Sequence, residues 1–481
     1  MSKTLIVAEK PDMARKISHA LGLNGAMEGR DIVLAASVGH SVEVFAENED
    51  DRTILPFVPA QFKLRVIKGK NDVFGRIEAA MKRPDVTTIV NACDAGREGE
   101  AIFRLIYEKA GCRKPCQRAW IKSTTNEGLV EAYRTRKPAA NYDGLAAAAR
   151  CRTESDKLYG YNGSRGAFNP CGRVMTPALG IIVDRYIAHT NFKPEPFWEI
   201  HARFEGSGGA WSARWTRDAV LKEAAGEEKA KAAKDDDEDA EEAEGGSRFK
   251  TRSDAEKIVA ACRGRNPVAT QETSKIVRSR PPLLFSLSAL QIEASARLGL
   301  SSEATLEGAQ RLYEAGLTTY PRTSSRYLTQ DYGPTAQKTL AALARGVAAY
   351  APHVAQARIE TKNKAVFDDS KVTDHFAIVP TGEGVADAGR DQALYDMICR
   401  RFIAVFMPHA EYFAVQRLST ILGGDGVKHH FYASARRLKT AGWTAVERSG
   451  AAGAELPALK PGEHGVTKEI KLHEGVTKPP P

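Results

Sequence analysis

The sequence predicts a multidomain protein that combines an α/β domain, a β-rich domain and an α-helical domain. Three observations support this prediction. Between residues 3 and 92, short apolar segments alternate with amphipathic helical segments, which is the pattern of a parallel α/β sheet. Aromatic and apolar residues alternate with polar ones at 197–215 and at 410–446, as in half-buried strands. Helical patterns at 286–298 and 302–315 fill the interval between those two regions.

The α/β domain is expected to begin with three strands and two helices in alternation. They are a strand at 3–8, a helix at 12–21, a strand at 32–37, a helix at 72–81 and a strand at 87–92. Ligands of parallel α/β sheets bind beyond the carboxyl ends of the strands. Glu9, Lys10 and Asp94 follow two of these strand ends, so the first domain is predicted to carry a site.

The order of strand, helix and strand regions predicts that the helical domain is inserted into the β-rich domain. The predicted boundaries are 1–150 for the α/β domain, 151–196 for a following helical segment, 197–279 with 409–474 for the β-rich domain, 280–408 for the helical domain, and 475–481 for a terminal stub. Residues 224–247 lack aromatic residues and are dense in charge, so we interpret them as a disordered insertion or a solvated helix, with a partner-binding tail as the alternative.

The balance of charge predicts a polyanionic partner. The 481-residue chain has a net charge of +9, although residues 227–244 contribute −7 with ten acids and three lysines; without them the charge is +16. Nucleic acid fits this excess, and so does an anionic membrane surface. The chain has no apolar stretch of eighteen residues and no signal-peptide pattern at its start, which favours the cytoplasm. Its seven scattered cysteines fit reduced thiols, and the lone pair Cys112 and Cys116 does not favour a zinc site.

Tyr320 is a candidate nucleophile. It precedes Pro321 and Arg322 in a segment rich in hydroxyl side chains. A phenol is a poor nucleophile near neutral pH and needs a neighbouring cation, which Arg322 could supply. The alternative is a tyrosine packed in a turn before a proline.

Asp94 and Glu98 are candidate metal ligands. They are four residues apart, with Gly96 and Gly99 beside them, so a tight turn could bring their carboxylates together. Hard oxygen ligands of this kind suit Mg²⁺ shared with a phosphate. The alternative is a helix N-terminus enriched in acidic residues that complement the helix dipole.

Taken together, seven segments resemble the type IA DNA topoisomerases, most closely the bacterial topoisomerase III branch. They occur in the family's order, from the first strand to the last residue. The segments are LIVAEKP at 5–11, CDAGREGE at 93–100, GRVMTP at 172–177, PPLLF at 281–285, YPRTS at 320–324, TDHFAIVP at 373–380 and TKPPP at 477–481.

The resemblance implies a Toprim domain at 1–150 and a toroidal core in which a β-rich arch carries the hinged tyrosine domain. It implies that Tyr320 cleaves one DNA strand through a 5′-phosphotyrosine, that a second strand passes, and that religation relaxes negative supercoils and unlinks DNA. The expected cofactor is Mg²⁺, and the expected partners are single-stranded and negatively supercoiled DNA bound by a monomer, in the cytoplasm with nucleoid or plasmid DNA. ATP is not expected, because no phosphate-binding loop motif occurs.

The resemblance also assigns roles to individual residues. Glu9 becomes the general acid and a metal ligand, with a helix N-cap as its alternative; Lys10 and Arg322 clamp the scissile phosphate, with solvated surface cations as the alternative. The metal ligands are Asp94, Glu98 and Glu9. The DNA-binding residues are His375, Arg173, Arg152 and Arg165. Weaker candidates for phosphate contact or stacking are His40, Arg118 and Trp120, and Trp120 also fits a core position.

The chain departs from the family pattern at several points. Gly96 stands where a further Asp is common, which removes one ligand, although Glu100 could contribute. Phe376 replaces a second histidine, and Met175 replaces a glutamine. The returning half of the strand-binding domain that begins near residue 151 would follow residue 481. One rival interpretation is therefore a noncatalytic single-strand-binding remnant; another, a Toprim nuclease or primase, is disfavoured by the tyrosine segment.

Overall fold

The protein folds into two compact units. The structure, a computed structural model, describes residues 2–122, 125–167, 169–217, 247–372, 375–383, 388–447 and 455–480. The first unit comprises Met1–Gly180, Leu283–Val354 and Ile359–Ile403, and the second comprises Ile181–Pro282, Ala355–Arg358 and Ala404–Pro481. The predicted acidic insertion lies, apart from Ser247, outside the described residues.

The described part of the chain contains strands and helices that we number in chain order. The strands are β1 Lys3–Ala8, β2 Ile32–Ala36, β3 Val42–Phe45, β4 Lys63–Val66, β5 Val86–Ala92, β6 Cys116–Arg118, β7 Lys137–Pro138, β8 Pro196–Gly206, β9 Gly209–Thr216, β10 Pro267–Ser279, β11 Ala410–Leu422, β12 Lys428–Thr440 and β13 Val466–Val476. The helices are α1 Pro11–Ala20, α2 Asn71–Lys82, α3 Arg97–Lys109, α4 Asn126–Arg134, α5 Asp143–Ala167, α6 Met175–Thr190, α7 Arg252–Cys262, α8 Leu287–Leu298, α9 Ser302–Glu314, α10 Gly333–Gly346, α11 Ala351–Val354 and α12 Gln392–Ala404.

A five-stranded sheet organises the first unit, in the order β2-β1-β5-β6-β7. Its first four strands are parallel, and in the centre Ile6 pairs with Leu34 and Val90. Two apolar clusters pack on the sheet, one with α2 and α3 and the other with α1 and α4. Helices cover both faces of the sheet at β1 and β5, so the apolar run 5–8 of β1 is fully buried, and the carboxyl ends of the two strands place Glu9 and Asp94 at one edge.

The helical part of the first unit positions Tyr320 through a capped helix and a glycine turn. The hydroxyl of Ser301 accepts a hydrogen bond from the backbone N–H of Ala304 and so caps α9. After α9 ends, Gly316 adopts φ 74°, a left-handed conformation that glycine favours. The backbone N–H of Thr319 then donates to the carbonyl of Val379 at 2.9 Å. This contact fixes the backbone immediately before the tyrosine.

A six-stranded sheet organises the second unit, in the order β10-β11-β12-β9-β8-β13. All its pairings are antiparallel. One apolar cluster, which includes Phe204, Trp211 and Phe431, packs between this sheet and α7. The alternating burial along β8 and β9 explains the period-two pattern of residues 197–215.

Helix α6 is apolar but has no buried residue. Its exposed side chains include Ile181 at 71%, Ile182 at 65% and Tyr186 at 68% of full exposure. Exposed apolar side chains grouped on one helix of a folded protein mark an interaction face.

None of the helices in the described ranges combines the length and the apolar character that spanning a membrane requires.

The predicted fold class is confirmed. The first strand has the predicted bounds, and the predicted helices at 12–21, 72–81 and 302–315 are displaced by one or two residues at most. Helix α5 runs from Asp143 to Ala167 and so continues across the domain boundary predicted at residue 150. Strands β3, β4, β6 and β7 were not predicted; each has four residues or fewer, which is too short for a periodic pattern.

Candidate active site

Three charged side chains meet at the carboxyl edge of the parallel sheet. The ammonium Nζ of Lys10 lies 3.2 Å from Oδ2 of Asp94 and 3.6 Å from Oε1 of Glu9. The backbone N–H of Asp94 donates to Oε2 of Glu9 at 3.3 Å. Glu9 is only 8% exposed, so it is buried from solvent.

Tyr320 faces this edge from the helical part of the same unit. The Lys10 ammonium lies over the Tyr320 ring, 4.1 Å from its centroid. The His375 ring lies 4.8 Å from the same ring, and its Nε2 atom lies 3.1 Å from Oδ2 of Asp94. The structure therefore brings together five predicted site residues: Tyr320, Lys10, His375, Asp94 and Glu9.

Burial and charge separate the ionisation of the two acids. Burial, and then the carboxylate of Asp94, raise the pKa of Glu9 above its ordinary value. Burial also opposes ionisation of Asp94, but the hydrogen bond from His375 and the charge of Lys10 outweigh it and lower the pKa of Asp94. For Lys10, burial opposes the ammonium, yet the carboxylates of Asp94 and Glu9 prevail and its pKa is raised. The edge thus combines an acid whose pKa is raised, Glu9, with an acid whose pKa is lowered, Asp94, and an ammonium whose pKa is raised, Lys10.

A buried ion pair holds the backbone of the acidic turn, which comprises residues 93–100. Arg118 is fully buried and donates to Oε2 of Glu100 at 3.0 Å. The same guanidinium donates to the carbonyls of Cys93 at 2.8 Å and Asp94 at 2.6 Å. A Cβ atom on Gly99 would lie 2.2 Å from the Asp94 carbonyl oxygen, so this close approach requires glycine.

This ion pair corrects two expectations. Arg118 cannot contact a phosphate on the surface, because burial and backbone acceptors occupy its guanidinium. Glu100 cannot supply the missing metal ligand, because it is fully buried and also accepts from Arg104 at 2.8 Å. Both residues support the turn instead.

The carboxylates of Asp94 and Glu98 fit a loosely held divalent cation but not an enclosed one. Glu98 is exposed, and its Oε1 lies 2.6 Å from Nε2 of His40, which lowers the pKa of Glu98. Gly96 has no side chain to add. Among the residues that the structure describes, no three His, Cys, Asp or Glu side chains are grouped to hold a metal ion. An ion bound here would therefore depend on water and on a substrate phosphate for most of its ligands.

A groove of about 1170 Å³ lies between the α/β domain and α5 in the first unit. Its wall includes Glu98 and His40 at one side and the predicted DNA-binding residues Arg152 and Arg165 along α5. Arg165 already donates to the carbonyls of Glu49 at 2.7 Å and Ile54 at 3.1 Å, so it also fixes the loop that forms the groove wall.

The remaining predicted residues are placed as follows. Arg173 is exposed and pairs with Asp156 at 2.6 Å, and Arg152 approaches the same carboxylate at 3.7 Å. Arg322 is exposed and pairs with no residue in the described ranges. Trp120 is half-buried and stacks on Tyr142 with ring centroids 5.2 Å apart, as expected of a packing residue.

Tyr313 was not predicted from the sequence as a residue of the site. Its ring packs edge-to-face on Tyr320, with centroids 5.3 Å apart and an interplanar angle of 72°. No sequence signal identified it, because the contact depends on the left-handed turn at Gly316 that brings Tyr320 back beside α9.

Family models match two parts of the chain. A model described as DNA topoisomerase matches residues 140–481, and a model described as Toprim domain matches residues 4–124. The second match covers β1 and the acidic turn, and the first covers the tyrosine segment.

Individual relatives match the whole chain. The chain is 32% identical to DNA topoisomerase 3 of Bacillus subtilis, in an alignment that covers all of this chain and 66% of that protein. It is also 32% identical to DNA topoisomerase 3 of Shouchella clausii, where it covers 65%. The chain thus spans slightly less than two thirds of the length of these relatives. Among solved structures, full-length topoisomerase I of Thermotoga maritima shares its fold, with a TM-score of 0.63 and 22% identity over 99% of this chain and 73% of that one.

Proposed function

We propose, because this chain belongs to the type IA DNA topoisomerase family, that it cleaves and rejoins one strand of DNA through Tyr320. The phenolic oxygen of Tyr320 attacks a backbone phosphorus atom, the bond from phosphorus to the 3′ oxygen breaks, and a 5′-phosphotyrosine and a free 3′ hydroxyl result. Reversal of the same step rejoins the strand. Because one phosphodiester replaces another, the reaction needs no ATP.

One observation carries this proposal: a tyrosine ring, an ammonium and a buried acid converge at one sheet edge. The Lys10 ammonium lies 4.1 Å from the centre of the Tyr320 ring and 3.6 Å from the carboxyl of Glu9. Neither a packed turn tyrosine nor a solvated lysine would require this arrangement. It is also the reason why we prefer an enzyme to a noncatalytic single-strand-binding remnant.

The charge of each residue determines its proposed role in the reaction. Glu9, whose pKa is raised by burial and by Asp94, is suited to give its proton to the departing 3′ oxygen. Lys10 and the exposed Arg322 would bind the scissile phosphate and offset the negative charge that develops in the transition state. His375, held by Asp94, would donate to the DNA backbone beside the tyrosine.

Mg²⁺ is the proposed cofactor, with Asp94 and Glu98 as its protein ligands and Glu9 as a further candidate. A bound ion would supply positive charge for the DNA phosphates during religation and strand passage. Lys10 already stands beside Asp94, so the cleavage site has a cation of its own.

Single-stranded DNA is the proposed substrate, and negatively supercoiled DNA supplies it because underwinding favours strand separation. The groove along α5, with Arg152, Arg165 and the nearby Arg173, is the proposed path of the strand toward Glu98. We place this activity in the bacterial cytoplasm, with a monomer acting on nucleoid or plasmid DNA.

A covalent-adduct assay tests the proposal. The purified chain is incubated with Mg²⁺ and a 3′-labelled single-stranded oligonucleotide, then denatured, and label on the protein is measured. We expect labelled protein from the wild-type chain and none from Tyr320→Phe. Binding without an adduct would support the remnant interpretation, and free 5′ ends without an adduct would support a Toprim nuclease.

A further inference from the structure

The Tyr320 ring is enclosed by three side chains that differ in origin. Lys10 belongs to the α/β part of the first unit, whereas Tyr313 and His375 belong to the helical part that also carries Tyr320. The contacts from Tyr313 and His375 therefore come from the same helical part as Tyr320 itself. The contact from Lys10 does not.

The backbone around Tyr320 is fixed by hydrogen bonds, so its side-chain torsions are the remaining freedom. Thr319 donates its N–H to Val379 at 2.9 Å and its hydroxyl to the carbonyl of Ala377 at 3.0 Å. On the other side, the hydroxyl of Thr323 donates to the carbonyl of His375 at 2.9 Å. Rings that contact the phenol therefore decide where its oxygen points.

Tyr313 is well placed to restrict those torsions. It lies one residue before the end of α9, is half-buried, and meets Tyr320 at 72° with centroids 5.3 Å apart. Edge-to-face aromatic pairs at this separation favour one relative orientation of the two rings. The Tyr313 ring on α9 thus forms a wall against which the phenol of Tyr320 rests.

Tyr313 places a second phenol beside the proposed nucleophile, Tyr320. Burial raises the pKa of Tyr313 above its ordinary value, although Lys16 and Lys10 act against that effect. Tyr313 therefore remains a neutral phenol in the conditions of an adduct assay. Its ring, rather than its hydroxyl, is what meets Tyr320.

We propose that Tyr313 is a positioning residue whose ring aligns Tyr320 for attack and keeps the phosphotyrosine aligned for religation. This inference rests on the proposed cleavage by Tyr320. Since the same transition state is crossed in both directions, loss of the ring slows cleavage and religation together. A misplacement of about 1 Å at a reacting centre costs up to about 100-fold in rate.

Single-turnover cleavage of the 3′-labelled oligonucleotide by the full chain tests the proposal. We expect Tyr313→Leu to form the adduct about tenfold more slowly than wild type, with the same final amplitude and with unchanged affinity for the oligonucleotide, measured on a Tyr320→Phe background. Tyr313→Phe keeps the ring and should match the wild-type rate within about twofold. A variant that only misfolds gives the reverse pattern, a smaller amplitude at an unchanged rate.

The matched control is Tyr107→Leu. Tyr107 is another half-buried tyrosine in an aromatic pair, 5.7 Å from Phe103, outside the site. We expect its adduct rate to equal that of wild type. A wild-type rate for Tyr313→Leu, or an equal loss in Tyr313→Phe, would overturn the inference while leaving the proposed function intact. Absence of an adduct in the wild-type chain would instead defeat the proposed function itself.

Discussion

The Arg118 guanidinium shows how a residue can govern a reaction without touching the reacting atoms. It holds the carbonyls of Cys93 and Asp94 from inside the domain, while the Asp94 side chain faces Lys10 and His375 outside. A guanidinium presents five donors in a fixed fork, and a lysine ammonium cannot reproduce that geometry. The orientation of Asp94 therefore depends on Arg118.

This dependence predicts a selective defect in Arg118→Lys. We expect the adduct rate to fall at least about tenfold, because the turn loses its carbonyl contacts while the buried charge pair with Glu100 is retained in part. Arg104→Lys is the control, since Arg104 also pairs with Glu100 but otherwise contacts the Ala139 carbonyl and the Asp143 carboxylate, away from the 93–94 backbone. Single-turnover adduct formation and urea unfolding are measured together. Equal losses in both variants would show that only the stability of the pair matters.

A carboxylate at position 96, which is Gly96 in this chain, would strengthen the proposed metal site. The backbone of Gly96 is extended, at φ −170° and ψ −179°, and this residue occupies the N-cap of α3. Any residue adopts this conformation, and aspartate is among the preferred N-cap residues. Position 96 can therefore accept a carboxylate beside Asp94 and Glu98 without backbone strain.

We expect Gly96→Asp to bind Mg²⁺ about tenfold more tightly, equivalent to about 1.4 kcal/mol. Calorimetric titration measures the affinity directly, and the Mg²⁺ concentration for half-maximal relaxation provides a second measurement. Gly96→Asn is the control, because it has the same shape and the same capping ability without the charge. If the two variants bind Mg²⁺ equally well, a carboxylate at this position does not reach the ion.

Sequence patterns predicted the residues that carry charge to the site but not those that position them. Glu9, Lys10 and Asp94 follow apolar strands, so the edge they share is implied by the sheet. Arg118 was predicted as a weaker candidate for phosphate contact or stacking, but the structure buries it. Its burial depends on Glu100, eighteen residues away in sequence and on a different element, and a local pattern does not contain such a pair.

At the level of elements, prediction succeeded where burial is periodic. Strand β1 is buried on both faces over its apolar run 5–8, and α9 has a serine cap and a glycine stop. The short strands β6 and β7 have no such pattern, because their pairing is decided by neighbours in the sheet. Helix α6 is mostly apolar, which would favour a buried helix, yet the structure buries none of its residues.

The exposure of α6 predicts that the purified chain self-associates at high concentration in the absence of DNA, whereas the form proposed to act on DNA is the monomer. Ile181 and Ile182 are 71% and 65% exposed, so replacing both by serine removes apolar surface with little effect on folding, within about 0.5 kcal/mol. We expect the double variant to be monomeric at concentrations where the wild-type chain forms larger species in sedimentation velocity. Ile200→Ser is the contrast, because Ile200 is fully buried and its replacement should unfold the second unit. Identical sedimentation of the double variant and wild type would rule out α6 as the contact.

At the level of the whole molecule, the net charge of +9 is unevenly distributed. Residues 227–244 contribute −7, so the remainder of the chain carries +16. Several cations are nevertheless engaged within the fold: Arg104 and Arg118 pair with Glu100, and Arg165 donates to backbone carbonyls. Composition therefore predicts that a polyanion binds, but the structure is needed to show which cations remain free to reach it.

Salt dependence distinguishes the cations that reach DNA from those that do not. Arg173 is exposed beside the groove and shares Asp156 with Arg152, so one of the two arginines can exchange this exposed carboxylate for a DNA phosphate. Each phosphate of a single strand that a protein neutralises adds about 0.7 to the steepness of log K against log salt. We expect Arg173→Gln, on the Tyr320→Phe background, to neutralise one phosphate fewer and to show a correspondingly shallower slope in fluorescence anisotropy titrations. Arg252→Gln removes another exposed, carboxylate-paired arginine, from α7, and its slope should equal that of the parent. An unchanged slope for Arg173→Gln would mean that Arg173 stays with Asp156 when DNA binds, and that the strand follows a different wall of the groove.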